Sequence, residues 1–304
     1  MRPISRRDLL KSAAIAAFAG PSALPRLARA IGPIGRTRPS HLKLSLAAYS
    51  FRDVLAPAGG RKPTMDLFGF VELAADLALD AVELTSYYFP PDVTPDYLHR
   101  LKQRAFALGL DVSGTSVGNN FCMPPGPARD KQMELVRTWV DHAAELDAPV
   151  IRIFAGNVPR GDTEDVAVGR AIEGIRASLP YAAEKGVSLA LENHGGITAT
   201  PAQLLKLVKA IDAANFGVNL DTGNFHGEDP YAELAEIAPY AINVQVKTEI
   251  NARGKAKEDA DLSREIGILR DARYSGYVVL EYEAREDPAI AVPKAIKKLR
   301  SLIG

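Results

Sequence analysis

The chain has 304 residues, of which 47% are hydrophobic and 24% charged, with 37 basic and 37 acidic side chains that cancel. This is ordinary globular composition, long enough for one large core, whether a barrel or two smaller domains. The even charge and absence of a polybasic stripe argue against a nucleic-acid partner, and the single cysteine, Cys122, excludes an internal disulfide.

The first thirty residues stand apart. Ser5-Arg6-Arg7-Asp8-Leu9-Leu10-Lys11 precedes an apolar run from Ser12 to Leu24, and Ala28-Arg29-Ala30 follows. Charged, hydrophobic and small-residue regions in that order make a signal peptide. The paired arginines resemble a twin-arginine export signal, which predicts cleavage after Ala30, engagement of the export machinery by a folded protein, and a periplasmic or secreted product. An uncleaved anchor or a tail is the plainer alternative. The apolar run is too short, and too broken by Gly20 and Pro21, for a spanning helix. Without residues 1–30 the chain keeps 31 basic and 36 acidic residues and is mildly acidic.

Residues 31–42 read as a linker. From Lys43 onward short β-branched runs alternate with longer segments of helical period. The strands are expected at 43–48, 81–85, 110–115, 150–154, 187–192, 216–221, 241–247 and 277–282. Amphipathic stretches fall at 68–79, 129–146, 167–185, 201–211 and 262–272. Thr200 before Pro201 is a helix start, and Gly109 and Gly186 mark helix ends just before strands. Eight βα units in about 260 residues, with no Gly-x-Gly-x-x-Gly after the first strand, predict an α/β fold, a single (β/α)8 TIM barrel over 43–304.

Active sites of such barrels gather at the C-terminal strand ends. There the sequence places Glu192 in "LALENHGG", Asp221 in "GVNLDTGN", Gln245 in "INVQVK" and Glu281 in "GYVVLEYE", on strands five to eight. Three converging carboxylates repel one another and resist desolvation, so a cation is their natural compensation. A set of oxygen donors favours Mn²⁺ or Mg²⁺ and admits Co²⁺ or Zn²⁺. His194 would bind a substrate hydroxyl or cap the next loop. Lys247 would stabilise an oxyanion or simply be solvated. Glu83 and Arg152, charges within apolar strands, would contact substrate or form an internal ion pair. Tyr87, Tyr88 and Phe89 follow strand two and would pack on a sugar or on themselves. The segment 116–127 is long enough for a lid, Trp139 has core spacing, and Cys122 lacks a catalytic partner.

Those four motifs resemble the sugar phosphate isomerase/epimerase family with the xylose isomerase-like barrel, which includes tagatose and psicose 3-epimerases, hydroxypyruvate isomerase and endonuclease IV-like relatives. The resemblance spans 43–304. It implies one divalent metal held by Glu192, Asp221, Gln245 and Glu281, with the two glutamates as acid and base. Gln245 departs from the histidine common in the family, and Asn224 from a second one; His226 could substitute only if turned inward. The resemblance also makes a homodimer an expectation. The implied activity is a metal-dependent isomerase or epimerase that takes a proton next to a carbonyl through an enediolate. Export and the lack of a phosphate-binding glycine loop favour a non-phosphorylated sugar, sugar acid or 3-keto-glycoside as substrate. A sugar-binding barrel without catalysis and a 3-keto-glycoside eliminase or hydratase are the alternatives; a nuclease zinc cluster fits poorly with five histidines.

Overall fold

The computed structural model describes residues 32–56 and 61–304. The expected export signal, residues 1–30, lies outside the described residues. Eight strands form the sheet: β1 Leu42–Ala47, β2 Ala81–Thr85, β3 Asp111–Ser116, β4 Val150–Ile153, β5 Ser188–Glu192, β6 Phe216–Asp221, β7 Ala241–Val246 and β8 Gly276–Leu280. They close into one parallel barrel in the order β1-β8-β7-β6-β5-β4-β3-β2. The helices of eight residues or more are α1 Leu67–Asp76, α2 Pro95–Ala107, α3 Pro127–Glu145, α4 Glu164–Glu184, α5 Pro201–Ala210, α6 Pro230–Ile237, α7 Leu262–Asp271 and α8 Pro288–Ile303. A small antiparallel ribbon, Glu249–Ile250 with Glu258–Asp259, lies between β7 and α7. The expected (β/α)8 barrel is the observed one, and each expected strand is found within two residues at either end.

Local chemistry explains the boundaries. Asp66, Thr94, Thr163, Thr200, Asp229, Asp261 and Asp287 each accept a backbone N–H in the first turn of the helix that follows, satisfying donors that would otherwise be orphaned. The exception is α3, which starts after Gly126 with proline at its first position. Gly109 (φ +76°) and Gly186 (φ +73°) end α2 and α4 in the left-handed conformation. Ala78, Asp147 and Arg273 take that strained conformation after α1, α3 and α7.

The apolar core lies between barrel and helices, where Leu46, Leu84, Ile151, Leu191 and Leu220 are fully buried. The barrel interior is different. Ser45 and Ser113 share a hydroxyl hydrogen bond of 2.7 Å, and above them lies a network of amides around one carboxylate. Asn243 Nδ2 donates to Glu83 Oε2 (2.9 Å) and to Asn219 Oδ1 (2.7 Å). Gln245 Nε2 donates to Glu83 Oε1 (2.6 Å) and Asn219 Nδ2 to Gln245 Oε1 (2.6 Å). This closed polar plug forms the floor on which the candidate site rests.

Candidate active site

The strand ends bring Glu192, Glu281, Lys247 and Arg152 to one pocket of about 240 Å³, which Tyr49, Tyr87, Phe154, His194, Asn224 and Glu283 complete. Glu192 ends β5, and its Oε2 lies 2.8 Å from Arg152 Nε, projecting from β4. Its Oε1 accepts from Asn224 Nδ2 at 3.1 Å. Burial pushes the Glu192 carboxyl well above the usual range while Arg152 pulls it back. Asn193, next in the chain, points the other way and fastens β5 to β6 by exchanging hydrogen bonds with the Asp221 backbone at 2.8 and 2.9 Å.

Lys247 is the hub of the opposite wall. Its Nζ lies 2.6 Å from Glu281 Oε2, 3.1 Å from Glu283 Oε1 and 3.2 Å from Asp221 Oδ2. The three carboxylates hold this ammonium well above the ordinary lysine value against the desolvation that opposes it. The residue is only 6% exposed, so the solvated-lysine alternative is overturned. Room for its stem comes from Gly223, where a Cβ would stand 2.7 Å from Lys247 Cγ. Asp221 is fully buried beneath it; desolvation pushes its carboxyl up to about 7, Lys247 opposing.

The register explains how β7 contributes. Val246 pairs with Leu280, and the Glu281 N–H donates to the Val246 carbonyl at 2.9 Å, so Lys247 rather than Gln245 is level with Glu281. Gln245, two residues earlier on the same face, falls one layer deeper. Its oxygen and its nitrogen are both consumed in the plug. The structure therefore does not bring the expected set of Glu192, Asp221, Gln245 and Glu281 together around one point. Gln245 lies one layer below, Glu192 is paired with Arg152, and Asp221 and Glu281 are bridged by an ammonium. As the side chains stand they do not fit a divalent ion, and among the described residues no group of three or more His, Cys, Asp or Glu side chains is arranged to hold one.

Other expectations divide. Glu83 is fully buried in the plug, where desolvation pushes it up to about 7; it does not line the pocket and makes no direct ion pair with Arg152. Arg152 lines the pocket, with its guanidinium over the Phe154 ring at 4.0 Å. The His194 ring stacks obliquely on Phe154 at 4.2 Å and faces the pocket. The following loop is tied by its backbone N–H to Thr198 instead. Burial and the cations Arg152 and Lys247 keep this imidazole below its ordinary pKa. Tyr87 lines the pocket, whereas Phe89 packs edge-on against Trp139 at 4.9 Å in the core. His226 turns to the Asn251 carbonyl, at 3.1 Å, and does not enter.

The segment 116–127 is no free lid. Phe121 and Cys122 are fully buried, and Arg129 donates to the Phe121 and Met123 carbonyls. The Phe121 ring fills the space a Cβ on Gly174 would need, at 2.6 Å. Burial pushes the Cys122 thiol up to about 11, which makes it inert as a nucleophile. Three pocket residues were missed in the sequence: Tyr49 and Phe154 lie just past strand ends and carried a weak positional signal, while Glu283 carried none beyond its place two residues after Glu281.

The fold and this strand-end arrangement define a member of the (β/α)8 barrels. The chain belongs to the xylose isomerase-like TIM barrel family, whose profile matches residues 71–302. It is 26% identical over 216 residues to a 3-oxo-isoapionate decarboxylase of Pectobacterium atrosepticum, a match covering 70% of each chain. It is also 26% identical over 176 residues to an uncharacterized protein of Methanocaldococcus jannaschii, covering 55% of this chain and 59% of that one. Among solved structures it resembles a D-psicose 3-epimerase of Clostridium cellulolyticum H10 (TM-score 0.69, 17% identity, 86% of this chain and 99% of that one). A 3-keto-D-glucoside 4-epimerase of E. coli is similar (TM-score 0.64, 16% identity, 86% and 99%). At these identities the structures establish the fold.

Proposed function

We propose that this protein is an enzyme of the sugar isomerase/epimerase type that moves a proton at a carbon next to a carbonyl of a non-phosphorylated keto-sugar or keto-glycoside. The observation that carries the reading is the pairing of two carboxylates, Glu192 and Glu281, with two buried cations, Arg152 and Lys247, around one small pocket. A carbonyl oxygen that takes the place of the rim carboxylate Glu283 at Lys247 Nζ would gain a charge-assisted hydrogen bond that strengthens as negative charge develops. Glu281 accepts the adjacent C–H proton, and the C–H electron pair passes onto the carbonyl oxygen to give an enediolate. Glu192, which burial keeps protonated more readily, returns a proton to carbon; exchange with solvent resets both groups. The His194 and Phe154 rings and Tyr87 supply faces for sugar C–H surfaces.

A second cavity of about 320 Å³ shares His194 and Asn224 with the first and continues past Thr200, Glu233 and Arg253. Room for a second group beside the reacting ring supports a glycoside over a free monosaccharide. The decarboxylase named among the relatives suggests a lyase variant of the same chemistry, since an enolate left by loss of CO2 would meet the same cations.

The test is solvent-deuterium incorporation, followed by NMR, into a panel of keto-sugars and 3-keto-glycosides. Glu192→Gln and Glu281→Gln should each slow exchange by about 10²–10⁴-fold. Tight binding of a sugar by the unmodified chain with no exchange at any carbon would instead establish a binding protein. Export is part of the proposal: Arg6→Lys with Arg7→Lys should hold the protein in the cytoplasm, as read by cell fractionation, and an unchanged periplasmic pool would remove that element.

A further inference from the structure

The donors at the strand ends raise a question of charge. Asp221, Glu281 and Glu283 each bring an oxygen within 3.2 Å of a single point, at ion-pair distances, so three negative charges gather around whatever cation stands there. That point is Lys247 Nζ. The ammonium bridges the buried floor, Asp221, to the rim, Glu281 and Glu283, and Gly223 leaves the gap through which its stem passes. The neutral donor expected from β7, Gln245, is spent on Glu83 and Asn219 one layer below.

We propose that Lys247 is the resident cation of this site, taking with its own side chain the place and electrostatic task of a divalent metal ion. The assignment itself rests on the geometry of the carboxylates. Its catalytic consequence, that Lys247 is the electrophile for the enediolate oxygen, rests on the proposed sugar reading. An ammonium offers three hydrogen bonds and one positive charge, against two charges and a coordination shell. It cannot chelate two sugar oxygens as a metal does, so Arg152, 2.8 Å from Glu192 on the facing wall, supplies the second charge.

The full chain, purified without chelator, is examined for metal by elemental mass spectrometry and titrated with Mn²⁺ by calorimetry. Far less than one equivalent of metal, no Mn²⁺ binding heat, and a thermal midpoint indifferent to EDTA are expected. A stoichiometric metal that Asp221→Asn loses would overturn the proposal. Lys247→Ala, and Lys247→Met to preserve volume, then vacate the point. Either variant should gain about one Mn²⁺ equivalent, bound at least about tenfold more tightly than by the unmodified chain, and a midpoint that rises with Mn²⁺. Folded variants with no gained affinity would equally overturn it. Variants folding only when Mn²⁺ is added would support it. Absence of deuterium exchange in every form would defeat the sugar reading while leaving the metal measurements to decide the cation.

Discussion

Glu265 on α7 is 2% exposed, and burial pushes its carboxyl up to about 8 from an ordinary 4.5. The folded state therefore binds a proton more tightly than the unfolded chain. Stability from this group is fully present below about pH 4.5 and drains away as pH rises towards 8. Glu265→Gln should melt higher than the unmodified protein at pH 9, with the gap closing towards pH 5; calorimetric scans across that range would show it, and a constant gap would refute it. Gln245→Leu should lower stability by about 1–3 kcal/mol, because Glu83 and Asn219 each lose a buried partner. Chemical denaturation checks this. These residues also show what a sequence withholds. Glu192, Asp221 and Glu281 were legible because an apolar run that ends in an acid announces a strand end. Alternation then placed Gln245 and Lys247 on one face but could not give depth, since depth depends on how β7 staggers against β8. The expected place of Gln245 beside Glu281 differed from the observed one at that step.

At the scale of elements the βα alternation was legible throughout, because buried parallel strands and amphipathic helices have different periods. What was not legible was which turns would be strained. Gly109 and Ala78 occupy equivalent left-handed positions before β3 and β2, and both lie open, with nothing within 4 Å of a Cβ on Gly109. Gly109→Ala should cost about 1 kcal/mol, through backbone strain alone. Ala78→Gly should gain about 0.5 kcal/mol, because relief of strain outweighs the greater freedom of glycine in the unfolded chain. For a chain of this size, about 1.5–2 °C in thermal midpoint corresponds to each kcal/mol, with opposite signs for the two variants. Midpoints moving in the same direction would mean that packing, not conformation, governs these turns. The buried anchoring of 116–127 was likewise hidden, since nothing local in that segment announces that Phe121 will fill the notch at Gly174.

At the scale of the molecule, closure of the barrel decides which groups meet. Tyr49, just beyond β1, and Glu283, beyond β8, reach one pocket only because the first and last strands pair, from Leu42 with Gly276 to Leu46 with Leu280. A chain cut before α8 should lose that seam and the pocket together; loss of cooperative melting on removal of residues 288–304 would confirm it, and a retained sharp transition would not. The amide plug beneath the pocket has a further effect on assembly. A strand sliding by two residues keeps every side chain on its proper face, so hydrophobic patterning alone is blind to the error. For β7 such a slide would lower Lys247 into the layer of Gln245, or lift Gln245 to the rim. Each of Asn219, Asn243, Gln245 and Glu83 would then lose its match at once. The plug thus works as a vernier: its hydrogen bonds close only when all the strands beside it are set to the same mark.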